Sequence, residues 1–166
     1  MKLYVMRHSV AEDGSIDGID ASRALTREGR ERAREVARAL VALDEAPHAI
    51  VSSPLIRALQ TAEIVQAAAK VEHPLEIGAA MAPGGDSLAM VVASARAGRK
   101  RLMVVGHEPD VSTLVARLVG APPTLGFGKA MVVGVRIAPD GTRFDLRFVM
   151  DPKRCVLTVD HRDTAR

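Results

Sequence analysis

The chain has 166 residues, 48% hydrophobic and 26% charged, and 23 Lys and Arg against 20 Asp and Glu give it a formal net charge of +3. This balance excludes a disordered chain and supplies the apolar material for one packed domain over residues 1–166. The single cysteine, Cys155, excludes an intrachain disulfide, and no apolar stretch approaches the ~20 residues of a membrane span.

In chain order, Leu3, Tyr4, Val5 and Met6 form an apolar run that suits a strand buried on both faces of a parallel sheet, with Arg7 and His8 emerging at its end. Val10 to Arg23 is polar and aperiodic, with acids at Glu12, Asp13, Asp17 and Asp20, and reads as a loop bordering that strand end. Thr26 is placed to cap a helix whose apolar stripe is Ala33, Val36, Ala37, Leu40 and Val41, and the arginines and glutamates between them form its solvated face. His48 to Val51 is a second strand. Ser53 is expected to cap the following helix with Pro54 at its first position, so that Arg57 falls in the first turn and the helix ends near Lys70.

Pro74 to Ile77 is a marginal strand, and Gly78 to Gly85 is a loop that leads to Asp86 as the cap of a helix from Ser87 to about Ala97. Leu102 to Val105 repeats the buried-strand pattern, and Gly106-His107-Glu108-Pro109 hands over to a helix striped by Val111, Leu114, Val115, Leu118 and Val119. Gly120 to Lys129 is a Gly- and Pro-containing connection. Ala130–Ile137 and Arg143–Val149 then pair across an Asp140-Gly141 turn, and the alternation of Phe144, Leu146 and Phe148 with Asp145 and Arg147 marks the second run as an edge strand. The tail beyond Asp151 is peripheral, and Cys155 has no motif around it.

Three strand ends thus carry residues of one kind: Arg7 with His8, Arg57, and His107. In a parallel sheet these ends share one rim, where ligands of open α/β folds bind. Guanidinium groups and helix N-termini match phosphate oxygens, and one of two neutral imidazoles is able to attack phosphorus in line. Such a reaction needs no metal or other cofactor, and no metal-ligand spacing is evident. Other phosphate chemistries fit poorly. Gly128-Lys129 lacks the earlier P-loop glycine and is followed by Ala130, no arginine closes an anion loop after Cys155, and position 111 is Val where a zinc motif starting at His107 needs histidine. Aromatic residues are scattered and no basic stripe interleaves with them, so nucleic acid is not an expected partner.

The ordered set Leu3-Tyr4-Val5-Met6-Arg7-His8, Leu25-Thr26-Arg27-Glu28-Gly29, Val51 to Ala62, Pro83-Gly84-Gly85-Asp86 and Val104 to Pro109 resembles the histidine phosphatase superfamily, within it the small SixA-type phosphohistidine phosphatases. The resemblance implies a phosphoglycerate mutase-like three-layer α/β/α sandwich, its mostly parallel central sheet carrying an antiparallel edge strand. It implies His8 as the phosphorylated nucleophile, with Arg7, Arg57 and His107 completing the phosphate pocket. Two departures stand out. Ser9 occupies the position where the superfamily usually has glycine, beside the phosphate, and Gly78 to Ala82 contains no carboxylic acid where larger members supply one. Glu76 and Asp86 flank that stretch as candidate acids, Asp86 reading more simply as a helix cap.

The expectation is a cytoplasmic, metal-independent phosphatase that removes phosphate from a histidine-phosphorylated protein, with no membrane partner. Without a positioned acid, a phosphoramidate whose nitrogen is easily protonated suits the site better than a phosphoester. The alternatives are a phosphatase for a small phosphoester or phosphoanhydride, and a phosphate-binding regulatory module in which Ser9 has suppressed turnover. Nothing in the sequence sets the oligomeric state.

Overall fold

The apolar run at the N-terminus is the centre of the molecule: in the computed structural model, which describes residues 1–120 and 126–158, Leu3, Tyr4, Val5 and Met6 lie in β1 (Lys2–Arg7) and are fully buried. Burial on both faces explains the lack of polar alternation. Leu3 and Val5 pack with Leu102 and Val104 under one helical layer, whereas Tyr4 and Met6 pack with Met103 and Val105 under the other.

The remaining strands are β2 (Ala49–Ser52), β3 (Glu76–Ile77), β4 (Arg101–Gly106), β5 (Val132–Ile137), β6 (Phe144–Asp151) and β7 (Val156–Thr158). Their order across the sheet is β3-β2-β4-β1-β5-β6-β7. The pairs β3-β2, β2-β4 and β4-β1 are parallel, and β1-β5, β5-β6 and β6-β7 are antiparallel. Helices α1 (Arg27–Ala42) and α2 (Ile56–Ala69) cover one face through Val36, Ala37, Leu40, Ala58, Ala62 and Val65. Helices α3 (Ser87–Arg96) and α4 (Asp110–Val119) cover the other through Val91, Ala95, Val111, Leu114, Val115 and Leu118. This is the expected phosphoglycerate mutase-like α/β/α sandwich. Among the described residues no helix is long and apolar enough to cross a membrane.

Two local expectations are corrected. Residues 143–149 do not end the sheet, because β7 pairs outside β6, and the polar alternation arises instead because Arg147 turns its guanidinium to Glu45. Ser53 does not cap α2: its N–H continues the sheet by donating to Val105 O at 2.9 Å, Leu55 takes the cap position, and the helix starts at Ile56. The connection expected over Gly120–Lys129 lies partly outside the described residues.

Helix α1 begins as expected, with Thr26 Oγ1 accepting the Gly29 N–H at 2.9 Å. Gly29 has a second function in packing. A Cβ added there would lie 2.0 Å from the Val10 carbonyl oxygen, so only glycine lets the first turn of α1 rest on the segment that follows β1. Thr26 N–H donates to the same oxygen at 3.0 Å, and Leu25 N–H donates to Gln60 Oε1 at 2.8 Å, which ties this segment to α2.

At the amino end of β1, Glu45 is buried and accepts from Lys2 Nζ at 3.2 Å, Tyr4 OH at 2.8 Å and both terminal nitrogens of Arg147 at 2.8 and 2.5 Å. Burial alone raises its carboxyl pKa, but the hydrogen bonds from Arg147, Tyr4 and Lys2 outweigh that and hold it at about 2.

Candidate active site

Parallel pairing aligns the carboxyl ends of β2, β4 and β1. Arg7 is level with Gly106, His8 N–H donates to Gly106 O at 2.9 Å, and Ser53 N–H donates to Val105 O at 2.9 Å. His8, Ser53 and His107 therefore meet at three adjacent strand ends. The His8 and His107 rings are 5.1 Å apart between centroids, and His107 Nε2 is 2.7 Å from Ser53 Oγ.

The state of His8 follows from its bonding. Its Nδ1 lies 2.7 Å from the Ser9 carbonyl, which can only accept, so Nδ1 carries the proton and Nε2 keeps its lone pair. Burial, then the charge of Lys129, pushes the His8 pKa down to about 3. Burial, then Arg57, lowers His107 to about 4. Both imidazoles are neutral near pH 7.

Cations surround them. Arg57, in the first turn of α2, donates from Nη1 to Asp20 O at 2.8 Å and from Nη2 to Asp20 Oδ2 at 3.0 Å. Arg7 Nη1 donates to Phe127 O at 2.7 Å. Lys129 Nζ stands 3.4 Å from His8 Nε2. Ser9 is fully buried, and its N–H donates to Thr61 Oγ1 at 3.1 Å while Thr61 Oγ1 donates to Arg57 O at 2.7 Å, so the residue after His8 is joined to the helix that carries Arg57. Three buried side-chain atoms lack a hydrogen-bond partner among the described residues: Arg7 Nε, Ser9 Oγ and His107 Nδ1. All three belong to residues of this cluster. Polar atoms buried without a partner are costly, and their concentration beside clustered positive charge fits a tetrahedral oxyanion.

The structure thus brings together Arg7, His8, Ser9, Arg57 and His107, and commits Glu76 and Asp86 elsewhere. Glu76 is exposed and held by Arg99 through bonds of 2.7 and 2.8 Å, which lower its pKa, the opposite of what a proton donor needs. Asp86 Oδ1 accepts the Ala89 N–H at 3.1 Å as the cap of α3. Asp110 lies in the first turn of α4, where its charge suits the helix dipole, and its carboxylate accepts from Gly84 N–H at 3.3 Å.

Sequence reasoning missed Lys129 as a member of the site and left Asp20 as one of several loop acids. Only tertiary pairing reveals Lys129: Arg7 N–H donates to Met131 O at 3.2 Å and Ala130 N–H to His8 O at 3.3 Å, which returns the chain to the end of β1.

Residues 3–81 match the model of the histidine phosphatase superfamily (branch 1). An uncharacterized protein of Picosynechococcus sp. is 35% identical over 141 residues, covering 82% of this chain and 85% of its own. Among solved structures, the protein histidine phosphatase SixA complexed with tungstate matches with a TM-score of 0.82 and 27% identity over 93% of this chain and 99% of its own. The mycobacterial glucosyl-3-phosphoglycerate phosphatase shares the fold at a TM-score of 0.66 and 19% identity, over 87% of this chain and 96% of its own. The chain belongs to the histidine phosphatase superfamily and is a phosphatase.

Proposed function

We propose that the protein removes phosphate from phosphohistidine on a protein substrate by way of a phosphohistidine formed on its own His8. The observation that carries this reading is the bonding of the His8 ring: Nδ1–H is held by Ser9 O, which leaves the lone pair on Nε2, the atom that attacks phosphorus. The P–Nε2 bond forms as the bond from phosphorus to the substrate imidazole breaks, and that imidazole leaves with the bonding electron pair. Water then attacks the phosphorus on His8. The P–Nε2 bond breaks, its electrons return to Nε2, and inorganic phosphate departs.

Arg7 and Arg57 balance the charge of the transferring phosphoryl group, while Ser9 Oγ and His107 Nδ1 are polar atoms available to its oxygens. These groups supply the compensation that a divalent metal supplies in other phosphoryl-transfer sites, so the reaction proceeds without one. The substrate imidazole leaves as a neutral ring once its second nitrogen has taken up a proton from solvent, which an imidazole nitrogen does readily near neutral pH. A sugar alkoxide needs a donor, and the carboxylates flanking the site are engaged: Glu76 by Arg99, Asp86 by the α3 backbone, Asp20 by Arg57 and Glu108 by Ser112.

The test compares phosphate release from a histidine-phosphorylated protein and from small phosphoesters, with and without a chelator. Labelled phosphate is trapped on the enzyme by acid-free quenching. Expected are preference for the phosphoramidate, chelator-insensitive turnover, and label that is lost in His8→Ala. Preference for esters, or label that persists in His8→Ala, overturns the reading.

A further inference from the structure

Lys129 is not a mobile surface lysine. Its backbone is pinned on the nucleophile strand, with Ala130 N–H donating to His8 O at 3.3 Å and Met131 N–H to Gly128 O at 3.1 Å, and its ammonium is brought 3.4 Å from His8 Nε2. Arg7 and His8 from the end of β1, Arg23 from the loop before α1, Arg57 from α2 and His107 after β4 all act on it or are acted on by it. No acid pairs with Lys129 among the described residues. A cation gathered among cations and donating to a lone pair is a group held for an anion.

We propose that Lys129 is a third phosphate-binding cation of this pocket, which rests on the His8 lone pair in the free enzyme and transfers to a non-bridging phosphate oxygen when substrate enters. The proposal rests on the reading of His8 as the nucleophile. Its position argues for a clamp on the phosphoryl group and against a proton donor. In-line displacement places the leaving atom on the far side of phosphorus from Nε2, whereas Lys129 stands beside Nε2, where the equatorial oxygens pass. In the free enzyme the same contact keeps a proton off Nε2, because a neighbouring ammonium disfavours imidazolium.

The two roles predict opposite changes at the two limbs of the pH profile. Burial, then Arg7, Arg23 and Arg57, lowers the Lys129 pKa to about 8, so the clamp is charged below that pH and is lost above it. In kcat/KM, which reports the free enzyme, the wild type declines above about pH 8, and a variant without the ammonium has no such limb. The acid limb set by His8 moves to higher pH in that variant, since Lys129 is the second cause of the His8 shift. A merely structural lysine would move neither limb.

The experiment measures tungstate binding by calorimetry and kcat/KM across aryl phosphates of graded leaving-group pKa, for wild type, Lys129→Met and Lys129→Arg. Lys129→Met is expected to weaken tungstate by about 10- to 100-fold and to lower kcat/KM by a similar factor for every leaving group. Lys129→Arg is expected to recover most of the binding and to carry the alkaline limb beyond the measured range. Tungstate affinity unchanged within about twofold overturns the proposal, as does a loss of kcat/KM that grows with leaving-group pKa, which makes Lys129 the proton donor instead. Lys129-dependent tungstate binding in an enzyme that forms no phosphoenzyme keeps the clamp and removes His8 as nucleophile, so the two failures are distinguishable.

Discussion

The two ends of β1 carry buried polar clusters of opposite character. At the amino end, Glu45 is met by Lys2, Tyr4 and Arg147, and the cluster satisfies itself. At the carboxyl end, Arg7, Arg57 and Lys129 surround two neutral histidines, the carboxylate paired with Arg57 is the exposed Asp20, and three buried atoms have no partner among the described residues. The contrast separates polar groups that hold a fold from polar groups that await a ligand. A cluster complete in itself contributes stability, and an incomplete one costs stability and signals binding.

The largest expected effect breaks the carboxyl end alone. His8→Ala should lower turnover about ten-thousandfold or more while leaving the urea midpoint at neutral pH near that of wild type or above it, measured by steady-state assay and denaturation. Glu45→Ala should do the reverse: it leaves Arg147, Tyr4 and Lys2 without their acceptor and should remove about 3 kcal/mol of stability with kcat/KM retained at a temperature where the variant is folded.

Acid sharpens the comparison because the two ends lose stability in different windows. The His8 and His107 pKa values, about 3 and about 4, lie below the ordinary 6.5, so stability declines as pH falls below 6.5 and the unfolded chain takes up protons first. Glu45, at about 2 against an ordinary 4.5, contributes fully above 4.5 and its contribution is lost as pH falls toward 2. Denaturation midpoints followed against pH should flatten in the upper window for His8→Ala and in the lower one for Glu45→Ala. The smallest effect tests the carboxylate that pairs with Arg57. Asp20→Asn removes a carboxylate, 64% exposed at its side chain, that competes with phosphate for Arg57, and should lower KM by about two- to fivefold.

That Arg7, His8, Arg57 and His107 are neighbours was legible because each follows an apolar run short enough to be a strand, and parallel strands bring their ends to one rim. The cap at Thr26 and the cap at Asp86 were legible because capping is a local transaction over three residues. What escaped was non-local or ambiguous. Lys129 depends on β5 running antiparallel against β1, and no spacing in the chain announces which strand a hairpin joins. Ser53-Pro54 carries a helix-start pattern, yet the sheet claims Ser53 and thereby delivers its hydroxyl to His107. The short β7 lacks the alternation that marks a strand, so β6 read as an edge.

The contact between Gly29 and the Val10 carbonyl reaches beyond packing. Replacing a helical glycine by alanine is among the first changes tried when a protein is engineered for heat resistance, because it usually stabilises. Here the added methyl meets the backbone oxygen of the residue that directly follows Ser9, whose carbonyl orients the His8 ring. Alanine at residue 29 is therefore expected to lower stability instead of raising it, and to disturb catalysis without touching a single residue of the pocket.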